Sequence, residues 1–301
     1  MSRLKNYLIA TEKPCISRTA SKNLFHLYSM HMRSQEEEHR LKKFPQNLID
    51  IKFLKEPERI CSTNQYDVIF VVHSKNSNFK ERNFLRDKYF KKASDKAMKS
   101  SQTIFVVSVQ NANQTVITNI MNESKSFEDM LIIENVSDDY HRLVYKSSRY
   151  SPKHIVKMDD DVQVNIPALL EELQHFERQK KFVLCRVFQN GQISRNPQSK
   201  WFLSKTEYEN SDLGLYCQGM AYVFSLDLLA KLYSNIYKVQ YLWMDDWYVT
   251  HALMNGTGAI FFDISPHIIS LESKTMAENL TLSDHFKRYQ PLFGHFRPAS
   301  M

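Results

Sequence analysis

From position 66 onward, short apolar runs alternate with longer polar stretches. YDVIFVV (66–72), TIFVVSV (103–109), DMLIIENV (129–136) and HIVKMDDDV (154–162) are continuous in hydrophobicity rather than alternating, as strands buried on both faces are. The segments between them read as helices: a basic one over KERNFLRDKYFKKASDKAMKS, a short one within NANQTVITNIMNESKSF, and a third over DDYHRLVYKSSRY (138–150). IPALLEELQHFERQ follows as an amphipathic helix with Pro167 in its first turn. Strand and helix in this order predict an α/β fold with a parallel, doubly wound sheet.

Beyond the fourth run the pattern changes. KKFVLCRVF (180–188), GMAYVFS (219–225) and GAIFFD (258–263) read as strands, and NGQISRNPQSKW as a loop opened by Asn190-Gly191. SLDLLAKLYSNI reads as a helix capped by Ser225. From 265 to 301 the pattern weakens, and loop with some helix is expected. Residues 1–60 are charged and weakly patterned, and QEEEHRLKK (35–43) fits a solvated tether. The folded domain is therefore expected over 61–301, divided at 165.

Composition changes this picture little. A chain of 301 residues with 43% hydrophobic and 24% charged residues can bury a sizeable core. The net charge of +7 is spread along the chain and matches no nucleic-acid-binding motif, so a phosphorylated small molecule answers the same electrostatics. No run of 18 apolar residues is present, and the N-terminal MSRLKNYLIATEK is a poor signal peptide. Cys15, Cys61, Cys185 and Cys217 show no zinc-like spacing. Five glycosylation sequons, at Asn113, Asn122, Asn135, Asn255 and Asn279, favour a secretory-pathway lumen.

Candidate chemistry gathers at two acidic places. Asp159, Asp160 and Asp161 fall where the fourth run ends, at the sheet edge where open α/β sheets bind ligands. Adjacent carboxylates repel, so burying them takes protonation or a divalent cation; a solvated acidic turn is the other reading, and the triplet alone leaves both open. Asp245 and Asp246 sit between Trp243 and Trp247, surroundings that desolvate a carboxylate toward a general base, although acids also suit a helix N-terminus. Arg82 and Arg86 lie one helical turn apart, placed to hold phosphate oxygens or to form a solvated face. Trp201 is an exposed-aromatic candidate in a loop. His267, His285 and His295 come late, with no partner at fixed spacing.

Taken in order, these windows resemble the β1,3-galactosyltransferase-like family of inverting glycosyltransferases. VIFVVHSKNSNFKERNFLRDKYF is similar to the family's opening strand, Ser-containing loop and Arg-x-x-x-Arg helix, with Ser74, Arg82 and Arg86 in place and Lys88-Tyr89 where Thr-Trp is usual. Asp138, Tyr140, Leu143 and Lys146 match a following segment, and KMDDDVQVN matches the metal motif. Lys200-Trp201, YCQGMAYVFS and MDDWYVT resemble the acceptor loop, the Tyr-Cys-x-Gly segment and the Glu-Asp-Val-Tyr-Val-Gly motif. Three departures stand out. The stretch between Lys146 and Lys157 is short, Asp245 and Trp247 replace Glu and Val, and no membrane anchor is seen.

The resemblance implies a GT-A-type fold and transfer of galactose or an N-acetylhexosamine from a UDP-sugar to a glycan acceptor on protein or lipid, forming a β1,3 linkage. It implies Asp246 as catalytic base, and Asp159, Asp161 and His285 as ligands of Mn²⁺ or another divalent cation. Ser74, Arg82, Arg86, Lys157 and Asp160 would contact the UDP-sugar, and Trp201 and Asp245 the acceptor. A membrane-associated place in the Golgi lumen follows, with no nucleic-acid partner. The alternatives are a non-catalytic glycan-binding or chaperone-like paralogue on the same fold and, more distantly, a metal-dependent phosphoesterase.

Overall fold

A computed structural model of the chain describes residues 52–57, 66–90, 101–134, 152–236, 238–271 and 291–296. Eight strands form the main sheet: β1 (Phe53–Lys55), β2 (Val68–His73), β3 (Ser101–Ser108), β4 (Met130–Ile133), β5 (His154–Asp159), β7 (Phe182–Phe188), β8 (Tyr216–Ser225) and β9 (Ile260–Asp263), in spatial order β1-β4-β3-β2-β5-β8-β7-β9. From β4 to β5 every pairing is parallel. β8 then runs antiparallel to both β5 and β7, and β9 rejoins parallel to β7. The expected parallel sheet is thus confined to the first half, with a mixed second half. β1, inside the stretch expected as a tether, pairs antiparallel with β4 at the sheet edge.

The continuous hydrophobic runs are explained by what covers the sheet. Side chains on successive strand residues point to opposite faces. Ile69, Val71, Ile104, Val106 and Ile155 therefore enter one core, and Val68, Phe70, Val72, Phe105 and Val156 the other. Neither face meets water, so neither needs polar residues.

Helix α1 (Phe79–Leu85) follows β2 and continues as a π turn over Arg86–Phe90; the rest of the expected basic helix, residues 91–100, lies outside the described residues. α2 (Gln114–Phe127) is capped by Asn113, whose side chain accepts the Val116 N–H at 2.9 Å. α3 (Ile166–His175) begins with Pro167 in its first turn, as its sequence requires. Ser225 does not cap the next helix. Its Oγ accepts from Phe182 N–H at 3.2 Å, and the chain passes through a 3₁₀ turn (Leu226–Leu228) into α4 (Leu229–Asn235). α5 (Asp245–Trp247) runs on as a π turn, Tyr248–Ala252.

The weakly patterned tail holds a short 3₁₀ turn (Ser265–His267) and, beyond the loop with some helix expected, two strands among its described residues. β10 (Ile268–Leu271) and β11 (Phe293–Phe296) pair with β6 (Val162–Val164) in a small second sheet of order β10-β11-β6. Strands of three or four residues carry too little periodicity to be read singly; long-range pairing makes them strands. Cys185 and Cys217 form a disulfide joining β7 to β8 inside the core. The expected helix over 138–150, the trimmed stretch after Lys146, and His285 lie outside the described residues.

Candidate active site

The acidic triplet is a strand end and a tight turn. Asp159 closes β5, and Asp160 and Asp161 make the connection to β6. The turn is anchored by Asp160 N–H donating to the His73 carbonyl at 3.1 Å, and Asn78 Nδ2 donates to Asp160 Oδ2 at 2.9 Å. Burial raises the Asp160 pKa, while hydrogen bonds from Ser74 and Asn78 pull it back. The three acids thus part company: Asp160 is engaged by the loop after β2, whereas the Asp161 side chain remains 49% exposed.

Asp161 has a neighbour that reading the chain in order did not single out. His295 Nε2 stands 3.7 Å from Asp161 Oδ2, because β11 lies antiparallel to β6 with His295 opposite Val162. One carboxylate and one imidazole suit a divalent transition metal. Asp159 fits that role less fully, since its Oδ1 accepts from Lys157 Nζ at 2.6 Å. Among the described residues no group of three or more His, Cys, Asp or Glu side chains converges as a metal cage. Asp161 and His295 offer two protein donors, and substrate phosphate and water could supply the others.

Lys157 links this edge to the second acidic place. Its side chain is fully buried, and its Nζ donates to Asp159 Oδ1 and to the Gly219 carbonyl on β8. Burial pulls its pKa down, but the carboxylates of Asp159, Asp245 and Asp246 outweigh that and raise it, so it stays charged. Burial pushes Asp159 up to about 6 against the pull of the Lys157 ammonium. Asp245 is driven up to about 7, by burial first, with Lys157 opposing and Asp246 and Asp159 adding. Among the described residues its Oδ2 is buried without a hydrogen-bond partner, as is the Tyr222 hydroxyl.

Asp246 is raised by burial and held by Trp247 N–H, which donates to its Oδ1 at 2.9 Å. Its carboxylate lies against Gly219, where an added Cβ would stand 3.1 Å from Asp246 Oδ2. The same helix is tied to β8 by Thr250, whose Oγ1 donates to the Asp246 carbonyl at 2.5 Å and accepts from Cys217 N–H at 2.9 Å. The acids of α5 do occupy its first turn, as the helix-start reading expects, but they are not solvated there. They are desolvated carboxylates fixed against the middle of the sheet.

Arg82 and Arg86 are buried, against the expectation of a solvated or phosphate-facing pair. Arg82 donates through Nε and Nη2 to Glu123 at 2.7 and 2.6 Å, and through Nη1 to Ser74 Oγ and the Lys75 carbonyl at 2.9 and 2.6 Å. Arg86 donates to both Asp129 oxygens at 2.8 Å and to Glu123 Oε1 at 2.8 Å. The forks that could have clasped phosphate are spent on α2 and the start of β4, and what they organise is the loop carrying Ser74.

In the loop expected to meet the acceptor, Trp201 is 48% exposed, with Lys200 Nζ 4.9 Å from its ring centre. Trp243 packs parallel to it, at 6.0 Å between centroids and 4° between planes. Trp247 is buried and donates from Nε1 to the Leu213 carbonyl at 2.7 Å. The sequence carried a signal for Gly219 in its Tyr-Cys-x-Gly segment. For the partnership of His295 with Asp161, or Glu123 with the arginines, it carried none.

The sheet is parallel in its first half, ends in an acidic turn and faces a second, desolvated carboxylate pair. Residues 80–263 match the galactosyltransferase family, and the chain belongs to it. It is thus a glycosyltransferase, as its resemblances implied. It is 29% identical over 210 residues to gorilla (Gorilla gorilla gorilla) beta-1,3-galactosyltransferase 5, covering 66% of this chain and 69% of that one. With human (Homo sapiens) beta-1,3-galactosyltransferase 1 it shares 25% identity over 254 residues, covering 81% and 76%. Among solved structures, the galactosyltransferase LgtC with donor and acceptor sugar analogs superposes with a TM-score of 0.39 at 11% identity, covering 76% of this chain and 86% of that one.

Proposed function

We propose that the protein transfers galactose or an N-acetylhexosamine from a UDP-sugar to a hydroxyl of a glycan acceptor on protein or lipid, with inversion and formation of a β1,3 linkage. The observation that carries this reading is the placement of Asp246: a desolvated carboxylate pressed against Gly219 and separated from the donor-side acids by one buried ammonium, Lys157.

In this mechanism the acceptor oxygen attacks the anomeric carbon as the bond from that carbon to the diphosphate breaks. Asp246 takes the hydroxyl proton on the face opposite UDP, which leaves as the nucleotide. Burial raises the Asp246 pKa, against the pull of Trp247 N–H and Lys157, which makes its carboxylate a stronger base. Asp161 and His295 would hold Mn²⁺ or a similar cation with Asp159 behind them, and that cation would neutralise charge on the leaving diphosphate. Asp160 and Ser74 face the donor sugar and ribose. Arg82 and Arg86 act beneath them by fixing the Ser74 loop. Lys157 spaces the two acidic places, and Asp245 and Trp201 line the acceptor side.

The site of action is the Golgi lumen at the membrane, following from the family and the sequons; no described helix is long and apolar enough to cross a membrane. The test is Asp246→Asn, with UDP–Mn²⁺ binding followed by calorimetry and sugar transfer to β-linked acceptors by product release. Binding should persist while transfer is lost. Full transfer by the variant would remove Asp246 from the mechanism. A wild-type protein that binds UDP but transfers to no acceptor would be the glycan-binding paralogue instead.

A further inference from the structure

Three sequons lie among the described residues, and their surroundings differ. Asn113 spends its side-chain oxygen on the α2 cap, and Asn122 sits inside α2, where Ser126 Oγ donates to its carbonyl. Asn255 stands at a turn. Its backbone N–H donates to His251 and its carbonyl accepts from Asn235, but its exposed side-chain amide makes no hydrogen bond among the described residues. The next residue, Gly256, has φ +72° and nothing within 4 Å of where a Cβ would stand, so the approach to Asn255 is open. Thr257 completes the sequon, its hydroxyl donating to the Met254 carbonyl at 2.7 Å.

Asn255 is also a wall of a cavity of about 350 Å³ that Tyr208, Asn210, Tyr241, Trp247 and His251 line. Trp247 and His251 stack at 4.9 Å, and Tyr208 meets Trp247 edge-on at 5.1 Å. Aromatic faces beside amide and imidazole groups suit a pyranose, which offers apolar C–H faces and polar hydroxyls at its edges.

We propose that Asn255 carries an N-linked glycan whose innermost N-acetylglucosamine packs into this cavity against Tyr208 and Tyr241. A bond forms between Asn255 Nδ2 and the anomeric carbon of a lipid-diphosphate-linked oligosaccharide; the lipid diphosphate leaves and the amide loses one proton. The proposal rests on the luminal location inferred above. Enzymatic deglycosylation of full-length protein purified from eukaryotic cells, followed by peptide mass spectrometry, reads occupancy as conversion of Asn255 to aspartate. Conversion at Asn255, lost in Asn255→Gln, is the expected result, and release should be much slower from native than from denatured protein. Modified Asn113 or Asn122 beside unmodified Asn255 would overturn the proposal and leave the luminal location standing. No modified sequon at all would overturn both, and equal release from native and denatured protein would refute the packing.

Discussion

Replacing Gly219 by alanine should cost turnover while sparing donor binding. The new methyl would stand 3.1 Å from Asp246 Oδ2, 3.2 Å from its Cβ and 3.4 Å from its Cγ. Because the Asp246 Cβ is itself crowded, turning the carboxylate about its side-chain bonds cannot relieve the contact. Either β8 or α5 must shift by a few tenths of an ångström. β8 is held by Lys157 at the Gly219 carbonyl, and α5 by Thr250 and Cys217. An overpacked core site costs roughly 1–3 kcal/mol of stability. A base misplaced by about 1 Å loses on the order of 10²-fold in rate, so a shift a few times smaller should lower kcat by roughly tenfold. Initial-rate kinetics with saturating donor, calorimetry with UDP and Mn²⁺, and a thermal melt separate the effects. Lower kcat with unchanged UDP affinity is expected. Undiminished kcat in a normally folded variant would show that Asp246 does not act from beside Gly219.

Glu123→Gln would leave two buried guanidinium groups sharing one carboxylate fewer, a change worth roughly 3–5 kcal/mol and a fall in Tm on the order of 10 °C. Loss of UDP binding without destabilisation would return Arg82 and Arg86 to the phosphate. Asp245, with its folded pKa pushed up to about 7, binds more protons folded than unfolded, so its contribution to stability falls as pH rises from the ordinary carboxylate range through about 7. Asp245→Asn should flatten that part of the stability–pH profile measured in chelator, and an unchanged slope would place the titration elsewhere. His295→Ala should raise the Mn²⁺ concentration needed for half-maximal transfer by about 10-fold or more while leaving acceptor KM alone; an unchanged metal requirement would dismiss His295 as a ligand.

The chain by itself determined the strands of the first half and the C-terminal sheet edge where the triplet falls. Both follow from local cues: buried strands need unbroken apolar runs, and acids at the end of such a run cannot stay in the core unpaired. YDVIFVV and HIVKMDDDV show this at neighbouring strands of the finished sheet. The chain also supplied Asp246, through its resemblance to a family motif. Only the tertiary structure decided what these groups meet. Lys157 reaches Gly219 across 62 residues, Arg82 reaches Glu123 across 41, and His295 comes to Asp161 because two short strands pair. Such partnerships depend on sheet order and register, which local periodicity does not encode. They give two arginines carboxylate partners inside the fold and set a buried lysine between two acidic places.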